Sequence, residues 1–266
     1  MQDVEHATVK EIKDFYHRYY VPNNATVVIV GDFSVDRAEQ WIRQYFGPIP
    51  AGTQSVSPDI ATEPPQTAER VVKITHNVAL PAFIEAYHIP ADGTRDSYAL
   101  RLASRVLSTG DSALIYHRLA YTKQIALEAE SSANFSEDPN LFFVFAVMKS
   151  GHTPAEGEEE VASILKRLKD EPLPPKELQK ARNQVLFELA QDRESSKNLA
   201  EQLGYDAVIL KNPDLINAEP RNFLSVTAEE IQAAAKKYFV RRNMTLLEVY
   251  PNRAGQTASI PVVGAH

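Results

Sequence analysis

Few residues in this chain are of the types that catalyse reactions or bind metals. Among them, the histidines lack the spacing of a helical metal-binding motif. The seven histidines are His6, His17, His76, His88, His117, His152 and His266. No two of them are four positions apart, the spacing that places two imidazoles on one helix face. Cysteine is absent, which excludes disulfides, thiolate catalysis and cysteine-based metal sites.

One acidic cluster invites a metal interpretation. His152 precedes a run made of Glu156, Glu158, Glu159 and Glu160. Pro154 stands just before that run, at the kind of position where the first turn of a helix tolerates proline. We therefore favour the simpler interpretation, a helix start whose dipole attracts acidic side chains.

The composition predicts a chain with a sizeable core and no polyanionic partner. Of its 266 residues, 44% are hydrophobic and 24% are charged, and the formal net charge is −7. Because no long Lys/Arg run occurs, we expect neither nucleic acid nor an anionic membrane surface as a partner. No stretch of 18 apolar residues occurs either, so no membrane span is expected.

An internal repeat organises the chain. Residues 7–30 (copy 1) align without a gap with residues 226–249 (copy 2), at an offset of 219 positions. Eight of the 24 aligned positions carry the same residue type, which exceeds what chance gives: Thr8, Glu11, Ile12, Tyr19, Val21, Asn24, Thr26 and Val30. In each copy a Thr followed three residues later by Glu is a capping box that opens an amphipathic helix. An Asn-containing turn and a β-rich run follow, Ala25–Val30 or Met244–Val249.

The offset predicts that only one repeat unit is complete. Copy 2 has a full unit before it within the chain, whereas copy 1 has almost none. Most of a first domain is therefore expected to precede Met1. We predict a remnant of that domain at residues 1–46, a Pro-rich linker at 47–69, a second domain at 70–250 and a tail at 251–266.

The second domain is predicted to be α+β, with helices packed on a mostly antiparallel sheet. The predicted strands are 71–75, 83–89, 125–133 and 141–148, with copy 2 supplying another. The predicted helices are 94–107, 111–122, one after Pro154 and one at 175–190, with further helical segments to about residue 210. The apolar run 141–148 is expected to be covered on both faces. In the remnant, a helix at 35–46 is expected to bury Ala38, Trp41, Ile42 and Tyr45.

Two segments carry a family resemblance. One is Phe15-Tyr-His-Arg-Tyr-Tyr-Val-Pro-Asn-Asn-Ala-Thr-Val-Val-Ile-Val-Gly-Asp32, and the other is Gly110-Asp-Ser-Ala-Leu-Ile-Tyr-His-Arg-Leu-Ala-Tyr-Thr-Lys-Gln-Ile-Ala126. They resemble the pitrilysin/insulinase-type metallopeptidases, which carry an inverted zinc motif. They are similar to bacterial zinc proteases of the type that resembles the mitochondrial processing peptidase. In that family two homologous α+β domains are joined by a linker, as the repeat suggests.

The resemblance also says what is missing. The family's zinc is held by H-x-x-E-H on a first-domain helix, with a distant Glu as third ligand and the internal Glu as general base. At the corresponding second-domain positions this sequence has Arg101, Ser104 and Arg105. The resemblance thus implies no catalytic residue and no metal ligand in this chain, with zinc expected only in the full-length parent protein.

A substrate-holding pair is missing as well. Many family members have an Arg and, seven residues later, a Tyr in the second domain, where this chain has Ala120 and Leu127. The resemblance therefore implies a homologous partner subunit, in a hetero- or homodimer, or a peptidase that works without the pair. The implied substrate is a peptide or an unfolded protein. Bacterial relatives favour the periplasm or cell envelope, and the cytoplasm stays open.

The function predicted from the sequence is therefore that of a carboxy-terminal, non-zinc-binding half of a zinc-dependent endopeptidase. It would form one wall of the substrate chamber and be inactive alone. The alternatives are a non-catalytic scaffold or an inactive heterodimer subunit of the same family and, from another class, an unrelated α+β binding module.

Overall fold

The computed structural model describes residues 6–53, 60–108 and 113–252. Its strands are β1 (Arg70–His76), β2 (Ala82–Ile89), β3 (Ala126–Ala133), β4 (Asn140–Met148) and β5 (Met244–Pro251). Its helices are α1 (Val9–Tyr19), α2 (Val35–Tyr45), α3 (Arg95–Ser108), α4 (Pro154–Asp170), α5 (Pro175–Glu194), α6 (Ser196–Val208), α7 (Leu215–Ser225) and α8 (Ala228–Tyr238). The α+β class predicted from the sequence is confirmed.

The contacts between Cα atoms divide the chain into two compact units. Unit 1 combines Met1–Pro64 with Asp192–Ile216, and unit 2 combines Pro65–Gln191 with Asn217–His266. The sequence placed residues 192–216 in the 70–250 domain, and here the grouping differs, because these residues contact the amino-terminal segment. The other predicted boundaries stay predictions, and the tail from residue 253 onward lies outside the described residues.

Unit 2 contains a five-stranded sheet in the order β1-β5-β2-β4-β3. The β1–β5 pair is parallel, and the other three pairs are antiparallel, so the sheet is mostly antiparallel as predicted. Along β2 and β4, buried residues alternate with half-buried ones. The expectation that β4 is covered on both faces holds fully for one face, which is buried, and only in part for the other, which is half-buried.

Helices α3, α4 and α8 pack against one face of this sheet, and α8 also packs against α3 and α4. The side chains between these layers include Phe83, Leu102, Phe142 and Ile231, all fully buried. Gly157 lets α4 approach closely, because a Cβ atom there would lie 2.5 Å from Cε1 of Phe83. A larger residue at this position would push the helix away from the sheet.

Both copies of the repeat adopt the same local structure. The capping boxes predicted at Thr8 and Thr227 are present. Each helix is followed by a 3₁₀ turn whose last asparagine donates from Nδ2 to the carbonyl near the helix end, Asn24 to Tyr19 at 2.9 Å and Asn243 to Tyr238 at 2.8 Å. The amide satisfies a carbonyl that the helix end would leave unpaired.

Three local predictions need correction. The run 25–30 is extended, but no strand among the described residues pairs with it, so it is not part of a sheet. Trp41 and Tyr45 are exposed rather than buried, because no described part of unit 1 covers them. The described part of the predicted 111–122 helix is a short turn, Leu114–Tyr116, that continues as a π-helix, His117–Thr122.

The described ends of the Pro-rich segment are anchored in their own units. In unit 1, the Gly52 amide donates to Oδ1 of Asn23 at 2.7 Å. In unit 2, Nε2 of Gln66 donates to the Met244 carbonyl at 2.7 Å, and Arg241 pairs with Glu69 at 3.1 Å. Among the described helices, none has the length and apolar character that crossing a membrane requires.

Candidate functional site

The two arginines singled out by the sequence lie on the outward side of α3, one helical turn apart. The helix turns Leu100, Ala103 and Leu107 into the core, which holds its orientation firmly. Arg101 and Arg105 are half-buried, as is Ser104. The helical period of 3.6 residues explains this arrangement, because it puts the buried residues on one side of α3 and these half-buried residues on the other.

Arg101 is held by a carboxylate and by an aromatic ring. Its guanidinium lies 2.7 Å from Oδ2 of Asp92, whose side chain is almost fully buried. The same group lies over the ring of Phe135, 4.8 Å from the ring centre. Both partners stabilise a positive charge at this point of the helix face.

Arg105 pairs with a second helix. Its Nη2 lies 2.5 Å from Oε2 of Glu188 on α5. A pocket of about 130 Å³ opens beside it, lined also by Leu114, Glu177 and Lys180. The side chains here are a mixture of cations, carboxylates and apolar groups, and no histidine is among them.

These residues do not fit a zinc ion. Zinc sites in hydrolases need three neutral or anionic donors from His, Asp, Glu or Cys. The face of α3 offers two guanidinium groups, which are permanent cations and repel a dication. Across residues 6–53, 60–108 and 113–252, no group of three or more His, Asp or Glu side chains is arranged to hold a metal ion.

Ala120 and Leu127 are only seven residues apart in the sequence, but they lie in different elements. Ala120 is half-buried within the π-helix, and Leu127 is half-exposed on the edge strand β3, at a register shift between Ala126 and Glu128. Neither side chain can donate a hydrogen bond to a peptide. Tyr116 and Tyr121 are exposed nearby and give this surface an aromatic character.

The acidic run near His152 is a helix start, as the simpler interpretation predicted. Thr153 and Glu156 form a capping box, with the Thr153 amide donating to Oε2 of Glu156 at 2.7 Å. This hydrogen bond holds the pKa of Glu156 below its usual range. His152 Nδ1 lies 3.4 Å from the same carboxylate and completes a local interaction.

Sequence reasoning missed a group of buried carboxyl side chains in unit 2. Glu85 of β2 and Glu248 of β5 are almost fully buried, and Glu158 of α4 is half-buried beside them. Burial raises the pKa of Glu85 to about 7, although the Tyr87 hydroxyl donates to it at 2.7 Å. Burial and the charge of Glu248 raise the pKa of Glu158 to about 7 as well.

A sequence signal for this group existed. In Phe83–Ile89 and Leu246–Val249 each glutamate interrupts an apolar run two residues after a buried apolar side chain, Phe83 or Leu246. Strand alternation therefore points both side chains inward. An ionisable residue at an inward position is uncommon, because burying a charge is costly.

Comparison with known proteins identifies the family. The model of a family described as the peptidase M16 inactive domain matches residues 6–185. The chain therefore belongs to that family, and the resemblance seen in the sequence is confirmed.

Relatives agree with this assignment. The zinc protease PqqE of Helicobacter pylori is 26% identical over 254 residues, which cover 94% of this chain and 57% of that protein. The crystal structure of a protease from Helicobacter pylori matches with a TM-score of 0.88 at 24% identity, over 94% of this chain and 61% of that one. The crystal structure of a peptidase M16 inactive domain from Pseudomonas fluorescens matches with a TM-score of 0.79 at 18% identity, over 97% and 61%. The chain thus spans about three fifths of the length of these relatives.

Proposed function

We propose that this chain supplies the second, non-catalytic domain of a zinc-dependent endopeptidase, together with the last helix and strand of its catalytic domain. In this proposal unit 2 forms one wall of a chamber that encloses a peptide or an unfolded protein. Membership of the inactive-domain family supports the non-catalytic role. The name of the PqqE relative supports zinc proteolysis as the activity of the complete protein.

The observation that carries the proposal is the opposite burial of the two repeat copies. In copy 2, Ile231, Ala234, Ala235 and Phe239 are 0–2% exposed. At the same positions of copy 1, Ile12, Phe15, Tyr16 and Tyr20 are 56–68% exposed. Since copy 2 closes a domain, the apolar face of copy 1 is suited to close another domain of the same kind.

Zinc enters this proposal only through the complete protein. The cations of α3 do not fit the metal, so the ligands and the general base would come from the catalytic domain. The role left to unit 2 is to confine and orient substrate. Among the described strands, β1 and β3 lie at the edges of the sheet and offer backbone groups to which an extended peptide can add.

A homologous partner subunit is part of the proposal. Ala120 and Leu127 cannot hold a peptide by hydrogen bonds, so a partner carrying Arg and Tyr would supply that function. A non-catalytic scaffold of the same family is the alternative, which the paired arginines of α3 also suit. We propose that the complete protein lies in the bacterial periplasm or cell envelope. Fractionation of the cells that produce it tests this location.

The experiment compares two polypeptides on unstructured peptides. The 266-residue chain should show no hydrolysis with or without zinc. The chain joined to the sequence encoded upstream should carry H-x-x-E-H and show cleavage that a chelator abolishes, alone or after addition of the homologous partner. Changing the motif Glu to Gln should remove turnover and leave zinc bound, because both histidines remain.

Two outcomes would overturn the proposal. Chelator-sensitive hydrolysis by the 266-residue chain would mean that a catalytic centre exists within it. An upstream sequence without H-x-x-E-H, and without turnover in the presence of the partner, would favour the scaffold alternative.

A further inference from the structure

The buried carboxyl group described above lies where α4 meets the sheet. Phe83 of β2 is the register partner of Glu248 of β5, so Glu85, two residues after Phe83, lies on the same face as Glu248. Gly157 of α4 lies against Phe83, which brings the next residue, Glu158, to the carboxylate of Glu248. Three carboxyl groups from three elements therefore share one region between helix and sheet.

Charged and titratable groups face this region from every element packed around it. They are Lys73 of β1, Glu69 before β1, Glu85 and Tyr87 of β2, Glu158 of α4, Arg241 of the 3₁₀ turn, and Glu248 and Tyr250 of β5. The two cations already have partners, since Lys73 pairs with Glu248 and Arg241 pairs with Glu69. The cluster thus holds more carboxyl groups than the nearby cations neutralise.

The contact between Glu158 and Glu248 requires a proton. Oε1 of Glu158 is buried and has no hydrogen-bond donor. Glu248 already accepts from the Tyr250 hydroxyl at 3.1 Å and pairs with Lys73. Two carboxylates have only acceptor atoms, so they can hydrogen-bond to each other only when one of them is protonated.

We propose that Glu85, Glu158 and Glu248 form a proton-operated latch that fastens the start of α4 to the sheet and loosens it when the cluster loses its protons. The proposal is independent of the zinc peptidase activity. It concerns the structural response of unit 2 to the pH around it.

Loosening α4 would reach the surface of unit 2. Glu160, two residues after Glu158, holds Arg118 at 2.5 Å and Lys123 at 2.7 Å. The start of α4 therefore also anchors the π-helix that contains Ala120. As a result, protonation of the buried cluster would control how firmly this exposed, aromatic segment is held.

The pH window follows from the raised pKa values. Glu85 and Glu158 have folded-state pKa values of about 7, raised from 4.5 by burial and, for Glu158, by the charge of Glu248. The folded chain then binds more protons than the unfolded chain between about pH 4.5 and 7, so stability falls as pH rises through this range.

Amide hydrogen exchange of the 266-residue chain at about pH 6 and about pH 8 tests the latch, after correction for intrinsic rates. In the wild type, protection of the first turns of α4 should fall about tenfold or more at the higher pH. E158Q should show a clearly smaller fall in protection than the wild type, because the glutamine amide donates to Glu248 without a titrating proton and only Glu85 still titrates. E159Q is the matched control, since Glu159 is exposed on the same turn, and it should behave as the wild type. An unchanged pH response in E158Q, or no response in the wild type, overturns the proposal.

A measurement without any variant gives an independent result. Carboxyl ¹³C titration of the glutamates in the wild-type chain should show two side chains with midpoints near pH 7. Ordinary midpoints near pH 4.5 for every glutamate would overturn the latch, whatever the variants do.

Discussion

Copies 1 and 2 are built from the same pattern, and they differ in what surrounds them. In copy 2, β5 lies between β1 and β2, and Met244, Leu246 and Glu248 are buried. In copy 1, the equivalent extended run has no neighbouring strand among the described residues, and Val27 and Ile29 are about half-exposed. The comparison teaches that local sequence determines the helix, the turn and the extended run, whereas a sheet needs partners.

The asparagine in each turn sharpens this difference. Asn24 donates to one carbonyl, that of Tyr19. Asn243 donates to the equivalent carbonyl of Tyr238 and, at 2.9 Å, to that of His88 on β2. The first hydrogen bond forms within the repeat motif itself. The second joins the motif to another strand of unit 2.

The largest expected difference between the copies is in hydrogen exchange of the two extended runs. Amides in β5 should exchange at least about a thousandfold more slowly than those of residues 26–29, because only β5 is hydrogen-bonded on both sides. Exchange followed by mass spectrometry or NMR measures this ratio. Equal protection of the two runs would show that copy 1 already has strand partners.

A pair of substitutions compares the two helix ends. Phe239 packs between Tyr87 and Phe142, with ring centres 5.3 Å and 4.7 Å away, so F239A should lower the free energy of unfolding by about 3–5 kcal/mol. Y20A, at the equivalent exposed position, should change it by less than about 0.5 kcal/mol. Urea unfolding of both variants measures the effects. A large loss in Y20A would mean that copy 1 is covered in solution.

The smallest expected difference concerns the asparagines. N243A removes hydrogen bonds to two part-buried carbonyls and should cost about 2 kcal/mol in free energy of unfolding. N24A removes one bond at an exposed site and should cost about 0.5–1 kcal/mol. The same urea unfolding series compares them, and equal costs would contradict the role given to the second bond.

Much of the fold could be predicted because its signals are local. The capping boxes at Thr8 and Thr227 and the alternation in β2 depend only on nearby residues. The strand order could not be predicted, since it depends on pairing between segments far apart in the chain. The exposure of Trp41 was missed for the same reason, because an apolar stripe predicts a buried face but not whether a partner is present.

The candidate site was predicted only in part. The acidic helix start at Glu156 followed from Pro154 and the charge pattern. The ion pairs of Arg101 and Arg105 could not be predicted, because Asp92 and Glu188 come from other segments. The buried carboxyl cluster had a local signal in each strand, yet the meeting of Glu158 with Glu248 depends on how α4 crosses the sheet.

The sheet order has a consequence for synthesis on the ribosome. Among the described strands, β5 comes last in the chain and lies between the first two, so this sheet can close only after residues near 250 have emerged. Copy 1 carries the same pattern and is synthesised about two hundred residues earlier, before the strand position between β1 and β2 is filled. The helix that precedes β5 buries Ala234 and Ala235 almost completely, at the positions where copy 1 has Phe15 and Tyr16. Because two aromatic rings do not fit the space of two methyl groups, the sequence of copy 1 does not suit the position that copy 2 takes in unit 2.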